Sequence, residues 1–276
     1  MDQLKHVLNK IQPGTVVIVG VPFDDHSSFL KGAALAPPRI REALHSPSAN
    51  MCTENIRDLG LEQRLVDTGD LKINDYIHDI QHPISRLLEK DARVLSLGGD
   101  HSITYPILKS YVKKYKHLNI LQLDAHPDLY NEFEGNPFSH ACPFARIMEE
   151  KLAARLVQVG IRTMNPHLQE QAERFNVETI DMKTWDSSLK LAFNGPVYIS
   201  LDMDVLDPAF APGVSHPEPG GLSTREVLGI IQDLGAPVVG ADIVELNPIR
   251  DINGITAMAA AKFLKEIVEK MLIKKG

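Results

Sequence analysis

Three stretches of this chain end an apolar run in acids and histidines. Asn119-Ile120-Leu121-Gln122-Leu123 leads into Asp124-Ala125-His126-Pro127-Asp128, and Arg93-Val94-Leu95-Ser96-Leu97 leads into Gly98-Gly99-Asp100-His101-Ser102. Val197-Tyr198-Ile199-Ser200-Leu201 leads into Asp202-Met203-Asp204. In an extended segment residues i, i+2 and i+4 share a side, so Asp124, His126 and Asp128 are expected to converge just past a strand. One such motif alone would fit a polar turn closing a buried strand. Three parallel strands ending this way point to a site, because ligands of open α/β sheets gather beyond the carboxyl ends of strands.

His101, Asp124, His126, Asp128, Asp202 and Asp204 are more ligands than one tetrahedral zinc needs, so two metals are the natural count. Four carboxylates and two imidazoles favour hard, higher-coordinate ions such as Mn²⁺. Two cations about 3.5 Å apart share a water, lower its pKa and make hydroxide available near neutral pH, so hydrolysis is the expected reaction.

The elements that carry these residues alternate. A helix is expected over Asp2–Ile11, a strand over Thr15–Val19 and a long polar loop containing Asp25 and His26, which read as surface residues. A helix to Leu44, a short strand Arg64–Val66 and a helix Asp75–Lys90 precede the strand ending at Asp100. Helices Tyr105–Lys116 and His140–Glu150, strand Leu156–Gly160, helix Asn165–Phe175, strand Val177–Ile180 and helix Met182–Leu191 follow. Helix Thr224–Leu234, strand Val238–Val244 and helix Ile255–Ile273 complete the chain. Eight strands alternating with helices predict a mainly parallel sheet covered on both faces, although periodicity alone would also allow a closed barrel.

The 276 residues, without a linker-like segment, are expected to form a single domain over 1–276. A net charge of -7 without a basic stripe argues against a nucleic-acid partner. Part of that charge would be neutralised by cations held on four aspartates. No apolar run reaches the ~18 residues of a spanning helix, and Met1–Lys10 lacks the apolar core of a leader, so no membrane partner and a cytoplasmic protein are expected. Cys52 and Cys142 have no pairing or metal-site spacing and read as reduced thiols.

Taken together, Gly98-Gly99-Asp100-His101-Ser102, Asp124-Ala125-His126-Pro127-Asp128 and Ser200-Leu201-Asp202-Met203-Asp204-Val205-Leu206-Asp207-Pro208 resemble the three signatures of the ureohydrolase family of arginases and agmatinases. The resemblance runs from about Val19 to the C-terminus, through Val159-Gly160-Ile161-Arg162, Pro219-Gly220-Gly221-Leu222 and Val244-Glu245-Leu246-Asn247-Pro248. It implies a three-layer α/β/α fold, a binuclear Mn²⁺ centre and hydrolysis of a guanidino group to urea and an amine. By the same resemblance, His101 and Asp128 match ligands of one ion, His126 and Asp204 ligands of the other, and Asp124 and Asp202 bridging carboxylates. Asp128 also matches the residue that orients hydroxide and passes a proton to the leaving amine, and His140 the mobile acid–base histidine.

Glu245 follows an apolar run, and a carboxylate at that strand end would hold a planar guanidinium through paired charge-assisted hydrogen bonds. Glu134–Ala141 and Ala211–Gly221 look most like plant-type arginases, and Asn136, Ser139 and His216 are candidate substrate contacts. The small cationic guanidino substrate is expected to be arginine. Agmatine, another guanidino compound, or metal and metabolite binding without turnover remain the alternatives. The family also suggests a homo-oligomer, a trimer or hexamer.

Overall fold

Four runs, Arg93–Leu97, Val238–Val244, Val197–Asp202 and Asn119–Leu123, are buried along nearly their whole length. Strands covered on both faces must be apolar throughout rather than alternating. In the computed structural model, which describes residues 8–273, these are β3, β8, β7 and β4. The others are β1 (Val16–Gly20), β2 (Leu65–Asp70), β5 (Arg155–Ile161) and β6 (Glu178–Asp181). All pair in parallel in one sheet of order β2-β1-β3-β8-β7-β4-β5-β6. The order ends at β2 and β6, so the sheet is open and not a barrel.

Helices cover both faces. Ile40 of α1 (Ala36–Leu44), Val227 and Ile231 of α6 (Thr224–Asp233) and Leu264 and Ile267 of α7 (Ile255–Leu272) pack into one core. On the other face the core takes Ile80 and Ile84 of α2 (His78–Leu88) and Ile107 of α3 (Thr104–Tyr111). It also takes Phe144 of α4 (Pro143–Glu149) and Leu168 of α5 (Pro166–Phe175). The result is the three-layer α/β/α arrangement. Among the described residues no helix is long and apolar enough to cross a membrane.

The register brings the chemistry together. Leu97 pairs with Ile243, Ile243 with Leu201, and Leu201 with Leu123, so the four central strands end in one row. The residues just past that row are the acids and histidines of the three motifs and Glu245.

Three expected helices differ, and the one expected over Tyr105–Lys116 ends already at Tyr111. Met182–Leu191 forms turns, not a helix. Asp181 accepts hydrogen bonds from Thr184 N (2.8 Å) and Thr184 Oγ1 (2.6 Å), and Asp186 accepts from Ser188 N (2.8 Å). Short polar side chains thus take the backbone groups a helix would have used. The helix expected from His140 begins instead at Pro143, whose fixed φ suits a first helical turn. His140 is thereby left in the loop ahead of it. The expected helix Asp2–Ile11 lies largely outside the described residues.

Candidate active site

Strand β4 stops at Leu123, and the next residues do not continue as an extended ladder. Asp124 Oδ1 accepts the His126 N–H at 2.6 Å, and Asp128 has a left-handed backbone, φ 51°. The spacing of two therefore works through a turn and not, as expected, through a shared strand face. Asp128 is carried toward His101 and His126 toward Asp204. Glu245 is also left-handed, φ 63°. Such a conformation costs a non-glycine residue about 1–2 kcal/mol, and it persists where the surroundings over-determine it. For Glu245 they do: its N–H donates to Gly99 O at 2.9 Å, and its Oε1 accepts the His101 N–H at 2.8 Å. Gly99 is required there, since a Cβ would lie 1.7 Å from Phe23 O.

Two groups of side chains bring ligand atoms close enough to hold a metal ion, His101 with Asp124 and Asp202, and His126 with Asp124 and Asp204. Asp124 belongs to both; Asp202 joins the His101 group. In the first, His101 Nδ1 lies 3.1 Å from Asp124 Oδ2, 3.0 Å from Asp128 Oδ2 and 3.1 Å from Asp202 Oδ2. In the second, His126 Nδ1 lies 2.9 Å from Asp204 Oδ2 and 3.6 Å from Asp124 Oδ1.

The first group tests whether a cation fits. Asp242 accepts from Thr104 Oγ1, Tyr198 Oη and Ser200 Oγ at 2.9, 2.7 and 2.7 Å; burial raises its pKa, and these three donors with the nearby His101 favour the carboxylate against that. Ser200 has spent its proton on Asp242, so its oxygen accepts from His101 Nε2 at 2.9 Å. The neutral ring then turns the lone pair of Nδ1 toward three carboxylate oxygens, and that buried nitrogen has no hydrogen-bond partner. A ring lone pair and three carboxylate oxygens converging on one point make a donor set that fits a cation. Four aspartates carry the charge that two divalent ions would cancel.

Without a cation, protons take its place. Burial opposes charge on His101 and His126, but Asp124, Asp128 and Asp202 hold the first well above the ordinary range, and Asp204 and Asp124 push the second up to about 12. Burial, then the charge of Asp204, drives Asp202 far up, and burial with the charge of Asp124 lifts Asp128 to about 6. Burial also acts on Asp124, but His101 and His126 outweigh it and hold that carboxyl below the usual range.

Beside these groups, His140 Nδ1 lies 2.8 Å from Glu245 Oε1 and Nε2 lies 2.8 Å from Ser28 Oγ. Burial disfavours the imidazolium, yet Glu245 raises His140 to about 9. Burial pushes Glu245 up, and the charge and hydrogen bond of His140 reverse this, leaving it below its ordinary value. His216 is pushed down by burial and by His140, and its ring stands 5.1 Å from that of His140 and 6.1 Å from that of His126.

A cavity opens over this cluster, walled by Ser28, Tyr130, Phe133, Thr163 and His216 and floored by the acids. Asn136 and Ser139 do not line it. Asn136 Oδ1 accepts the Phe138 N–H at 2.9 Å within its own turn, and Ser139 is buried. His26, read as a surface residue, is partly buried, with its ring 4.4 Å from Tyr76 and its N–H donating to Asp100 Oδ2 at 3.0 Å.

Sequence reasoning passed over Ser200, Asp242 and Ser28. The first two had a signal, since a polar residue inside an otherwise apolar strand must find a partner. Ser28 had none, because its role depends on where a loop folds back.

Fold and cluster together define a class: an α/β/α protein whose four central strands gather carboxylates and imidazoles fit to hold metal. Comparison with known proteins narrows it. The arginase family profile matches residues 14–269. Arginase 1, mitochondrial, of Arabidopsis thaliana is 48% identical over 275 residues, covering 92% of this chain and 80% of that protein. Arginase 2, chloroplastic/mitochondrial, of the same plant is 46% identical, covering 93% and 80%. The solved structure of arginase from Medicago truncatula superposes with a TM-score of 0.90 at 42% identity, covering 98% of this chain and 93% of that one. The chain belongs to the arginase family. The expected cytoplasmic placement is overturned, because these plant relatives bear mitochondrial or chloroplastic names.

Proposed function

We propose that this protein is a two-Mn²⁺ arginase that hydrolyses the guanidino group of L-arginine to urea and L-ornithine. One observation carries the metal reading: His101 Nδ1, its lone pair set by the Ser200–Asp242 chain, facing three carboxylates 3.0–3.1 Å away. Arginine as substrate draws on the 46–48% identity to two plant arginases. His101, Asp124, Asp128 and Asp202 would hold one ion, and Asp124, His126 and Asp204 the other, with Asp124 shared. When bound, the ions supply Lewis-acid polarisation and a nucleophile from water at neutral pH.

The protein's own groups do the rest. Glu245 has Oε1 committed to His101 N and His140 Nδ1, which leaves Oε2 for a guanidinium N–H. The Asp128 carboxylate takes the proton of the attacking water and returns it to the leaving amine nitrogen. His140 keeps its Nδ1 proton on Glu245 and exchanges a proton at Nε2 with the cavity. Tyr130 and Phe133 screen the site from bulk water. The catalytic unit is read as one domain over 1–276, consistent with the single continuous sheet. A homo-oligomer, trimeric or hexameric, is the proposed assembly; the neighbouring exposed Leu35 and Ile249 supply apolar surface for it, and light scattering measures its mass.

Agmatine is the second reading, because among the described residues no Lys or Arg lines the cavity to pair with an α-carboxylate. Urea release from Mn²⁺-loaded protein, with arginine and agmatine supplied separately and a metal-stripped control, decides. Arginine preference is expected; agmatine preference overturns the substrate, and metal-independent release overturns the mechanism.

A further inference from the structure

Ser28 sits on a loop that the site holds from several sides. His26 N donates to the buried Asp100 at 3.0 Å, and His26 O accepts the backbone N–H of His140 at 3.1 Å. Asp100 is anchored in turn by the N–H and hydroxyl of Ser102. Two residues beyond His26, Ser28 Oγ meets His140 Nε2 at 2.8 Å, with the hydroxyl on the cavity wall. The loop backbone thus sets where this hydroxyl stands.

The roles of the two imidazole nitrogens follow. A carboxylate only accepts, so His140 Nδ1 donates its proton to Glu245 Oε1. In the neutral ring Nε2 carries a lone pair and accepts the Ser28 hydroxyl proton. In the imidazolium Nε2 carries a proton and donates it to the Ser28 oxygen. A hydroxyl rotates to serve either state, which a backbone N–H or a carbonyl cannot do.

We propose that Ser28 is a positioning residue for His140. It holds the ring in one plane through both protonation states while Nδ1 stays on Glu245, so that Nε2 can gain and lose a proton toward the cavity without the ring turning away. No bond other than N–H and O–H changes: a proton arriving from a cavity water at Ser28 Oγ releases the hydroxyl proton to Nε2, and the reverse returns it. The inference rests on the proposed acid–base role of His140, and its test separates the two.

The test uses the full-length Mn²⁺-loaded protein, Ser28→Ala and Ser28→Thr. Steady-state urea release gives kcat and KM for arginine, and diethyl pyrocarbonate labelling of His140, followed by peptide mass spectrometry without substrate, reports how freely Nε2 is available. For Ser28→Ala the expected loss is about tenfold in kcat with KM held within about twofold, the scale of one hydrogen bond removed, and Ser28→Thr restores most of it. Labelling of His140 should quicken severalfold in the alanine variant and return to the original rate in the threonine variant. Unchanged labelling overturns the proposal, and so does faster labelling with kcat intact. A rise in KM with kcat intact also overturns it, since it would make Ser28 a substrate contact. If the unaltered protein releases no urea from arginine, the functional reading fails by itself, and the labelling rates still decide whether Ser28 holds the ring.

Discussion

His101 and His126 offer the same atom, Nδ1, to aspartates of one cluster, and they are held in opposite ways. The His101 side chain is 1% exposed, and its far nitrogen is tied through Ser200 to Asp242, itself held by Thr104 and Tyr198. The His126 side chain is 27% exposed, and among the described residues its Nε2 has no hydrogen-bond partner; the ring meets His216 edge to face instead. Buried hydrogen bonding beyond the ligands fixes ring orientation and tautomer and tunes affinity for metal. The His101 half is therefore preorganised, and the His126 half adapts. The cavity is lined by His126 and not by His101, so on the proposed two-ion reading the His126 position is the outer one, where an ion would enter or leave.

Asp124→Asn has the largest expected effect, because Asp124 is common to both groups of ligand atoms. Its Oδ1 and Oδ2 accept from His126 N and Gln122 Nε2, and a carboxamide must turn its NH₂ toward one of those donors. Metal content should fall from two ions to none. Turnover should fall by about 10³-fold, the loss of several kcal/mol of charge stabilisation. Elemental analysis beside urea release checks this; one ion retained in the His101 half would mean that Asp128 and Asp202 suffice there without Asp124.

Graded chelation comes next. The outer ion should leave first, giving a species with one ion per chain before the metal-free protein, followed by dialysis and elemental analysis. Loss of both ions together would erase the distinction between the halves. Melting temperature should fall in two steps, since a ligand at about 100 times its Kd stabilises the folded state by about 2.7 kcal/mol.

Asp242→Asn probes the inner half from beneath. The substitution keeps the shape and removes the charge that makes Ser200 an acceptor for His101. The inner ion should bind about 10–100-fold more weakly while the outer ion is spared. Equal weakening at both positions, by competition with a metal-sensitive dye, would show that Asp242 acts through overall charge and not through His101.

The same contrast explains what the sequence made legible. The eight strands and the His/Asp strand ends were readable because parallel strands buried on both faces are continuous apolar runs, and their carboxyl ends are where polar side chains must stand. The grouping of those residues was less so: Asp124, His126 and Asp128 do not share a strand face, because the chain turns after Asp124, with the His126 N–H closing on Asp124 Oδ1, and Asp128 is itself left-handed. The Ser200–Asp242 chain needed the pairing of β7 with β8, which sets Ser200 opposite Asp242 and which no local pattern encodes. The turn at Met182–Leu191 escaped because side-chain capture of the backbone competes with a helical pattern that the spacing alone favours.

The smallest expected effect belongs to the adaptable half. His216 packs its ring against His126 and His140 at 6.1 and 5.1 Å, and burial together with His140 lowers its pKa, which favours a contribution of shape over one of charge. His216→Ala should leave kcat within about twofold and the inner ion in place, and weaken the outer ion by about threefold, the scale of a lost ring contact. Asn136→Ala, whose parent Oδ1 accepts within its own turn, should change neither. A shared loss of both ions in His216→Ala, measured by the same dye titration, would mean that the aromatic rim supports the whole cluster and that the two halves are not independent.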